Sequence, residues 1–277
     1  GTGSVDLTGW KLAEAVDYNF PAGTTIDPGG YLVVARDAET LAGKYPEIDI
    51  LGNFSGRLSN RGERIQLLDP NDNPADEVHY HDAKPWPGFA DAGRSSLELR
   101  DPNADNSRAE AWAASDESVH SNWETYTYRG VAGPGDSDGR DYHELVIGTL
   151  DSAEILLDDI TVVSDPDGNS RQLIQNSTFD TDTSKWRIIG NHHGTVVPDP
   201  DNPGNNVLHL STTGVTNDIH NHAETTLKDA AGYVKVSPGT EFEISFRAKW
   251  LAGSNLLNTR LYFFELQKTH DLPAPSF

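Results

Sequence analysis

The sequence predicts an all-β protein made of two β-sandwiches in tandem. Its 277 residues are enough for two domains of ordinary size, each with its own core. Apolar and polar residues alternate in short runs separated by Gly, Pro, Asn and Asp, the pattern of short strands joined by tight turns. Residues 38–45 (AETLAGKY) are the one stretch that predicts a helix, and they are too few to change the class.

The strands are expected where the alternation is clearest. These runs are residues 31–35, 64–68, 77–80, 145–147, 155–163, 241–250 and 259–264. A stretch of small and acidic residues at 113–121, between two tryptophans, indicates a linker. The predicted parts are therefore a first domain at 1–114, a linker at 115–122, a second domain at 123–265 and a tail at 266–277 that leads to a following domain.

The composition excludes several partners and chemistries. The chain has 43 acidic and 21 basic side chains and a net charge of −22, so nucleic acid and anionic membranes are not expected partners. There is no cysteine, which excludes disulfides and thiolate chemistry. No apolar run approaches the roughly 18–20 residues of a membrane span. Because residues 1–4 are neither an initiator methionine nor a signal peptide, we expect the sequence to be part of a longer chain.

The first domain has a series of motifs that are specific in combination. They are SVDLTGWKL from residue 4, FPAGTTIDPGGYLVVA from residue 20, GRLSNRGERIQLLDP from residue 56, DEVHYHD from residue 76 and KPWPG from residue 84. Residues 4–112 thereby resemble a bacterial lamin-tail domain, which implies an immunoglobulin-like sandwich. The family pattern has two more strands ahead of DLTGW, so we expect a truncated domain whose sheet has an open edge unless a partner fills it.

Aromatic and imidazole side chains of the first domain are weak candidates for a site. Trp86 lies between two prolines and is either an exposed platform for stacking or, as is more usual, a lid over the end of the core. His79 and His81 share one face of a predicted strand. With no third ligand candidate nearby in the sequence, a metal site there is not expected.

The second domain shows the motifs of another sandwich, in reversed order. They are WETYTYRG, HELVIGTL and AEILLDDITVV, followed by LIQNSTFDTDTSKWRIIG, VLHLSTTG, AETTL, VSPGTEFEISFRAKW and RLYFF. Residues 121–265 resemble a jelly-roll carbohydrate-binding module of the family 4, 9 and 22 type. Either the module is circularly permuted, or two partial modules follow each other. We prefer the permutation, which predicts that residues 155–163 and 173–179 are antiparallel neighbours.

A carbohydrate site is expected on the polar face of the second domain. Alternation in EFEISFRAKW places Phe242, Ile244, Phe246, Ala248 and Trp250 in the core. If the strand at 259–264 is its neighbour, one face presents Arg247, Lys249, Arg260 and Tyr262. Guanidinium donors beside an aromatic ring are typical of sugar-binding faces. The alternative is a solvated face of mixed charge.

A structural calcium ion is predicted in the second domain. The resemblance implies one between the segments that here are NSTFD and LDDI, held by Asp158 or Asp159 together with Asp180. Hairpin geometry points to the same residues independently. In a hairpin centred near residues 167–168, two residues face each other when their numbers sum to about 335 or 336, so Asp158 comes close to Asp180. The alternative is that these carboxylates accept hydrogen bonds from backbone amides.

The histidines of the second domain leave two interpretations open. His220 and His222 project to one side of a strand, and the loop with His192 and His193 could approach them. A zinc site is conceivable, whereas packing and hydrogen bonding in loops is the ordinary arrangement.

No catalytic motif is recognisable, so we do not expect an enzyme. We expect a non-catalytic accessory region of a large secreted or cell-surface bacterial protein, located outside the cell. Its expected partners are a polysaccharide or cell-surface glycan and neighbouring domains of the same chain. The alternatives are a structural spacer or protein-interaction module with no glycan binding, and a metal-dependent enzyme that a chelator would inactivate.

Overall fold

The computed structural model describes residues 2–91, 93–134, 142–217 and 219–275. Their regular structure is nearly all β-strand, with one α-helix and three short 3-10 helices among the described residues. The predicted all-β class is confirmed. The chain divides into two compact units. Unit 1 contains Gly1–Asp91 and Leu97–Ala114, and unit 2 contains Ala92–Ser96 and Ser115–Phe277.

Unit 1 is built from short strands and one helix. The helix α1 spans Ala38–Lys44, and 3-10 turns span Gly88–Ala90 and Ala109–Ala111. The strands are β1 (Val5–Asp6), β2 (Lys11–Glu14), β3 (Val16–Asn19), β4 (Thr25–Ile26), β5 (Val33–Ala35), β6 (Ile50–Gly52), β7 (Ser55–Gly56), β8 (Glu63–Leu68), β9 (Pro74–Tyr80), β10 (Leu97–Leu99) and β11 (Trp112–Ala114).

The largest sheet of unit 1 has the strand order β7-β3-β2-β8-β9, with antiparallel neighbours. The pairs β1-β4 and β10-β11 are antiparallel, whereas β5-β6 is parallel because α1 connects its strands. The buried core is small and consists of Leu7, Tyr18 and Phe20, with partly buried side chains packed against it. The predicted helix is confirmed, and Asp37 caps it by accepting a hydrogen bond from the Thr40 backbone N–H.

Unit 2 has longer strands and one 3-10 turn at Ser118–His120. The strands are β12 (Glu124–Val131), β13 (Glu144–Thr149), β14 (Ala153–Ser164), β15 (Arg171–Gln172), β16 (Trp186–Ile189), β17 (His192–Pro198), β18 (Asn206–Thr212), β19 (His222–Thr226), β20 (Lys228–Asp229), β21 (Gly232–Tyr233), β22 (Glu241–Gly253), β23 (Leu256–Leu261) and β24 (Glu265–Asp271).

Two antiparallel sheets of unit 2 share one core. The first has the order β12-β22-β14-β18-β17, with β15 beside β14, and the second has the order β16-β19-β13-β23-β24. Side chains from both sheets, such as Ile147 of β13 and Phe246 of β22, belong to a single buried cluster. The alternating residues of β22 from Phe242 to Trp250 are fully buried, so the predicted inward face of this strand is confirmed.

The predicted hairpin forms next to the turn, where β14 pairs with β15. The pairing predicted along all of residues 155–163 and 173–179 does not form, because Ile155 and Leu157 pair with β18 instead. Val163 lies opposite Gln172, and Ser164 lies opposite Arg171. The Leu173 N–H continues the pairing by donating to the Val162 carbonyl at 2.9 Å. Since the chain on both sides of this hairpin packs into one core, the two halves of the motif series form one unit.

Candidate functional site

The polar face predicted in unit 2 does not form as one surface. Arg247 and Lys249 lie in β22 of the first sheet, whereas Arg260 lies in β23 of the second and Tyr262 follows it. The expectation that these strands are neighbours is therefore wrong. The reason is that β22 ends at Gly253, a residue with a positive φ of 76°, after which the chain enters the opposite sheet.

Arg260 and Tyr262 pack inside the second sheet. The Arg260 side chain is almost fully buried and donates to the Asn258 side-chain oxygen at 3.2 Å and to the Asn217 carbonyl at 3.0 Å. The Tyr262 ring packs against the Tyr142 ring with centroids 5.0 Å apart. Strand β23 also ends at Leu261, three residues earlier than expected, because residues 262–264 form the turn into β24.

Arg247 is the centre of a network of charged groups on the outer face of the first sheet. Its guanidinium lies 3.3 Å from Asp158 Oδ2 and 3.4 Å from Asp159 Oδ2. The same group stacks on the Trp123 ring at 4.6 Å from its centroid. Register places Asp158 opposite Arg247 in the paired strands β14 and β22.

The loop after β17 adds further partners to this network. Lys249, also buried, forms a 2.7 Å ion pair with Asp201. Asp199 accepts hydrogen bonds from Trp123 Nε1 at 3.2 Å and from the Asn205 amide at 3.3 Å. Both cations of the network are thus paired with aspartates, and the contacts of the network attach the loop and Trp123 to the sheet.

Two buried carboxyls of the network respond differently to burial. Burial raises the pKa of Asp158, although hydrogen bonds from the Asn205 amide and the Asp159 N–H oppose it. Burial also acts to raise the pKa of Asp199, but hydrogen bonds from the Asp201 N–H, Asn205 and Trp123 outweigh it and the pKa is lowered. The difference arises because Asp199 receives more hydrogen bonds to its charged form.

The predicted calcium ligands do not form a cage by themselves. Asp158 has Arg247 and Asn205 as partners, and Asp180 accepts a 2.9 Å hydrogen bond from the Thr178 hydroxyl. Within the described ranges, no three His, Asp or Glu side chains are arranged to hold a metal ion. Arginine supplies the positive charge beside Asp158, and the calcium site stays a prediction.

The histidines of unit 2 are engaged by protein groups. His192 is buried, its Nδ1 lies 2.7 Å from the Asn191 side-chain oxygen, and its Nε2 accepts from the Thr149 N–H at 3.4 Å. Burial lowers the pKa of His192 to about 4. In the neighbouring buried ring of His222, Nδ1 lies 2.9 Å from the Asn217 carbonyl. These contacts are the hydrogen bonding that a loop-packing role predicts, whereas His193 and His220 are exposed.

Unit 1 has an open cleft of ≈ 530 Å³ with aromatic walls, which we call the Trp112 cleft. Trp112 belongs to β11 and lies opposite Leu99 of β10. Its indole Nε1 donates to the Asn106 carbonyl at 2.9 Å, which fixes the ring. The side chains that line the cleft include those of Pro85, Pro87, Phe89, Arg100, Glu110 and Trp112.

Trp86 lies beneath this cleft. The Trp86 side chain is buried, as a lid over a core requires, and its ring centroid is 6.1 Å from that of Trp112. The partly exposed aromatic surface therefore belongs to Trp112 and Phe89 instead. Sequence reasoning missed Trp112 because it took this tryptophan as the border of the linker. The signal was present in the prolines on both sides of Trp86, which bring residues 85–89 against β11.

Two charged side chains line the Trp112 cleft without a protein partner. Arg100 and Glu110 are exposed, and neither forms an ion pair or side-chain hydrogen bond with any residue that the structure describes. A cleft with an aromatic wall, a guanidinium donor and a carboxylate acceptor has the groups that hold a sugar ring and its hydroxyls.

Residues 1–82 match the family model of the Lamin Tail Domain. This supports the predicted resemblance over the first segment of the chain. The lamin tail domain is an immunoglobulin-like, non-enzymatic family, consistent with an accessory or interaction role. No curated protein and no solved structure matches the chain significantly.

The lamin-tail match ends before the Trp112 cleft begins. All residues that line the cleft lie between 85 and 114, beyond the matched segment, although they belong to unit 1. The resemblance of residues 121–265 to a carbohydrate-binding jelly roll stays a prediction.

In the described part of the chain, no helix is long and apolar enough to cross a membrane.

Proposed function

We propose that this chain is a non-catalytic accessory region of a secreted or cell-surface protein and that it binds carbohydrate at the Trp112 cleft. The ligand would be a polysaccharide or cell-surface glycan. Trp112 and Phe89 provide apolar surface for one face of a sugar ring. Arg100 and Glu110 provide a donor and an acceptor for its hydroxyls.

The observation that supports this site is the lack of protein partners for its polar groups. Arg100 and Glu110 have no described ion pair to give up when a ligand binds. Arg247 and Lys249 of unit 2 are already paired with aspartates, so a sugar there would have to replace charge-assisted contacts. A ligand at the Trp112 cleft therefore breaks no described ion pair, whereas a ligand at the network around Arg247 would have to break several.

A glycan array with the intact chain, followed by calorimetry on the best ligand, tests the proposal. We expect affinities between millimolar and micromolar. Arg100→Gln should weaken binding by about tenfold, the value of one charge-assisted hydrogen bond. Arg108→Gln is the matched control, because Arg108 is also exposed and in unit 1 but is paired with Asp105 at 3.0 Å. It should leave the affinity unchanged.

The aromatic wall needs its own variant. Phe89→Ala should also weaken binding, while melting curves establish that unit 1 remains folded. If no glycan binds, the spacer or protein-interaction alternative replaces this proposal. If binding is abolished by Arg247→Gln but not by Arg100→Gln, the carbohydrate site lies in unit 2.

A further inference from the structure

A second cleft of unit 1 gathers three arginines in an otherwise acidic protein. It has a volume of ≈ 730 Å³ and is lined by Arg36, Arg57 and Arg61, with Phe54 and Glu63 among the other lining residues. We call it the arginine cleft. The whole chain has 43 acidic but only 21 basic side chains, so a site with three guanidinium groups and one carboxylate is unusual for this protein.

The fold of unit 1 brings the arginines together from separate segments. Arg36 directly follows β5, and Arg57 directly follows β7. The Phe54 N–H donates to the Ala35 carbonyl at 3.1 Å, which holds the start of the Arg57 segment against the end of β5. Arg61 lies in the turn that enters β8. The three side chains therefore line one cleft although they are up to 25 positions apart.

The three guanidinium groups are exposed and have no acidic partner in the described ranges. The acidic side chains nearest to them in sequence accept hydrogen bonds from other groups. Asp37 caps α1 through the Thr40 N–H and hydroxyl, and Glu63 accepts from the Ser59 N–H at 3.1 Å.

Apart from Arg100, which also has no described acidic partner, the other arginines of unit 1 are paired. Arg64 pairs with Glu14 at 3.0 Å, and Arg108 pairs with Asp105 at 3.0 Å. Because acids outnumber bases, pairing is the expected state of an arginine in this chain. Three neighbouring arginines that lack it form a local positive potential.

We propose that the arginine cleft binds a tetrahedral oxoanion, a phosphate or sulfate group, on a ligand of low charge density. Guanidinium forks match the oxygens of such groups and are weakly hydrated. A net charge of −22 repels ligands with closely spaced charges, such as nucleic acid. Phe54 adds an apolar wall that suits the uncharged part of a small anionic ligand. This site is independent of the Trp112 cleft.

The experiment is a titration of the intact chain at constant ionic strength. The probes are inorganic phosphate, glucose 6-phosphate, glucose and a short DNA duplex, with chloride as the reference anion. NMR signals of the arginine Nε–H groups report which side chains respond. We expect both phosphates to shift the signals of Arg36, Arg57 and Arg61, and added salt to weaken their binding. If glucose 6-phosphate binds more tightly than phosphate, the ligand is a phosphate group attached to a sugar. If both bind equally, the ligand is a free anion.

Substitutions locate the site. Arg57→Gln should weaken phosphate binding by about three- to tenfold, and the triple variant Arg36→Gln, Arg57→Gln, Arg61→Gln should abolish it. Arg108→Gln removes one positive charge from the same unit and should leave binding within about twofold. Melting curves of each variant show whether unit 1 remains folded.

Three results would overturn the proposal. One is the absence of any arginine response to both phosphates. The second is equal weakening by Arg57→Gln and Arg108→Gln, which would mean non-specific attraction. The third is tighter binding of the DNA duplex than of either phosphate, which would assign the cleft to a different class of ligand.

Discussion

The two units differ in whether their charged side chains have protein partners. In unit 2, Arg247 and Lys249 pair with aspartates and lie over a large core that two sheets share. In unit 1, the buried hydrophobic cluster consists of Leu7, Tyr18 and Phe20, and two clefts present charged groups that have no described partner.

This difference indicates which unit is better suited to bind a ligand. Polar groups that compensate one another hold a structure together, whereas groups without a partner are available to a ligand. The lining residues of both clefts come mainly from turns and strand ends of unit 1, where substitution disturbs little packing. We therefore expect stability to depend mainly on unit 2, and the two proposed binding sites both lie in unit 1.

The largest expected effect concerns the two cores. Phe246 is fully buried in unit 2 between Tyr126 and His270, so Phe246→Ala should lower the free energy of unfolding by about 4 kcal/mol. Phe20→Ala in unit 1 should cost about 3 kcal/mol, because most of the side chains packed against its cluster are only partly buried. Calorimetry of both variants measures this. The exposed Val119→Ala is the control and should change stability by less than about 0.5 kcal/mol.

The next effect concerns the network around Arg247. Arg247→Ala should destabilise unit 2 by about 2–3 kcal/mol, since Asp158 and Asp199 are left buried without a cation. Arg129→Ala is the matched control in the neighbouring strand, because its ion pairs are more exposed, and it should cost about 0.5 kcal/mol. Urea unfolding of both variants checks the difference, and equal losses would show that the network does not stabilise unit 2.

A pH effect on stability is expected from the buried histidine His192. The pKa of His192 is about 4 in the folded state, below the ordinary value of 6.5, because the ring is buried. The unfolded chain then binds more protons between these values, so stability is complete above about pH 6.5 and falls toward pH 4. Each histidine with a lowered pKa changes the free energy of unfolding by at most about 1.4 kcal/mol per pH unit.

Thermal melting from pH 7 to pH 4 tests this. His192→Gln should make the decline in stability shallower than in the parent chain. Val119→Ala, which replaces an exposed apolar side chain and changes no charge, should leave the decline unchanged. His270, whose pKa burial also lowers to about 4, should continue to contribute in both variants. Identical pH profiles for the parent chain and His192→Gln would contradict the assignment.

The smallest expected effect is that of calcium. Because Arg247 and Asn205 already contact Asp158, we expect millimolar calcium to change the free energy of unfolding by less than about 0.5 kcal/mol. Melting with calcium and with a chelator measures it. A rise of about 2–3 kcal/mol, as ligand at a hundred times its Kd would give, would support the calcium site that the sequence predicts.

The sequence alone determined the features that depend on local periodicity and turn chemistry. Alternation in EFEISFRAKW was enough to predict which side of β22 is buried, because successive side chains of a strand point to opposite faces. The short Gly- and Asp-containing turn after residue 164 likewise predicted the β14–β15 pairing to within one residue. The motifs of residues 4–112 were specific enough to indicate the lamin-tail resemblance, which the family match supports over residues 1–82.

Only the tertiary structure decided which strands are neighbours and which charges meet. Periodicity gives the face of a strand but not its sheet, so Arg260 was expected beside Arg247 although the chain crosses to the other sheet after Gly253. The pairing of Asp158 with Arg247 joins strands 89 positions apart, and the arginine cleft joins separate turns. Such contacts depend on distances in space, which a pattern of neighbouring residues does not contain.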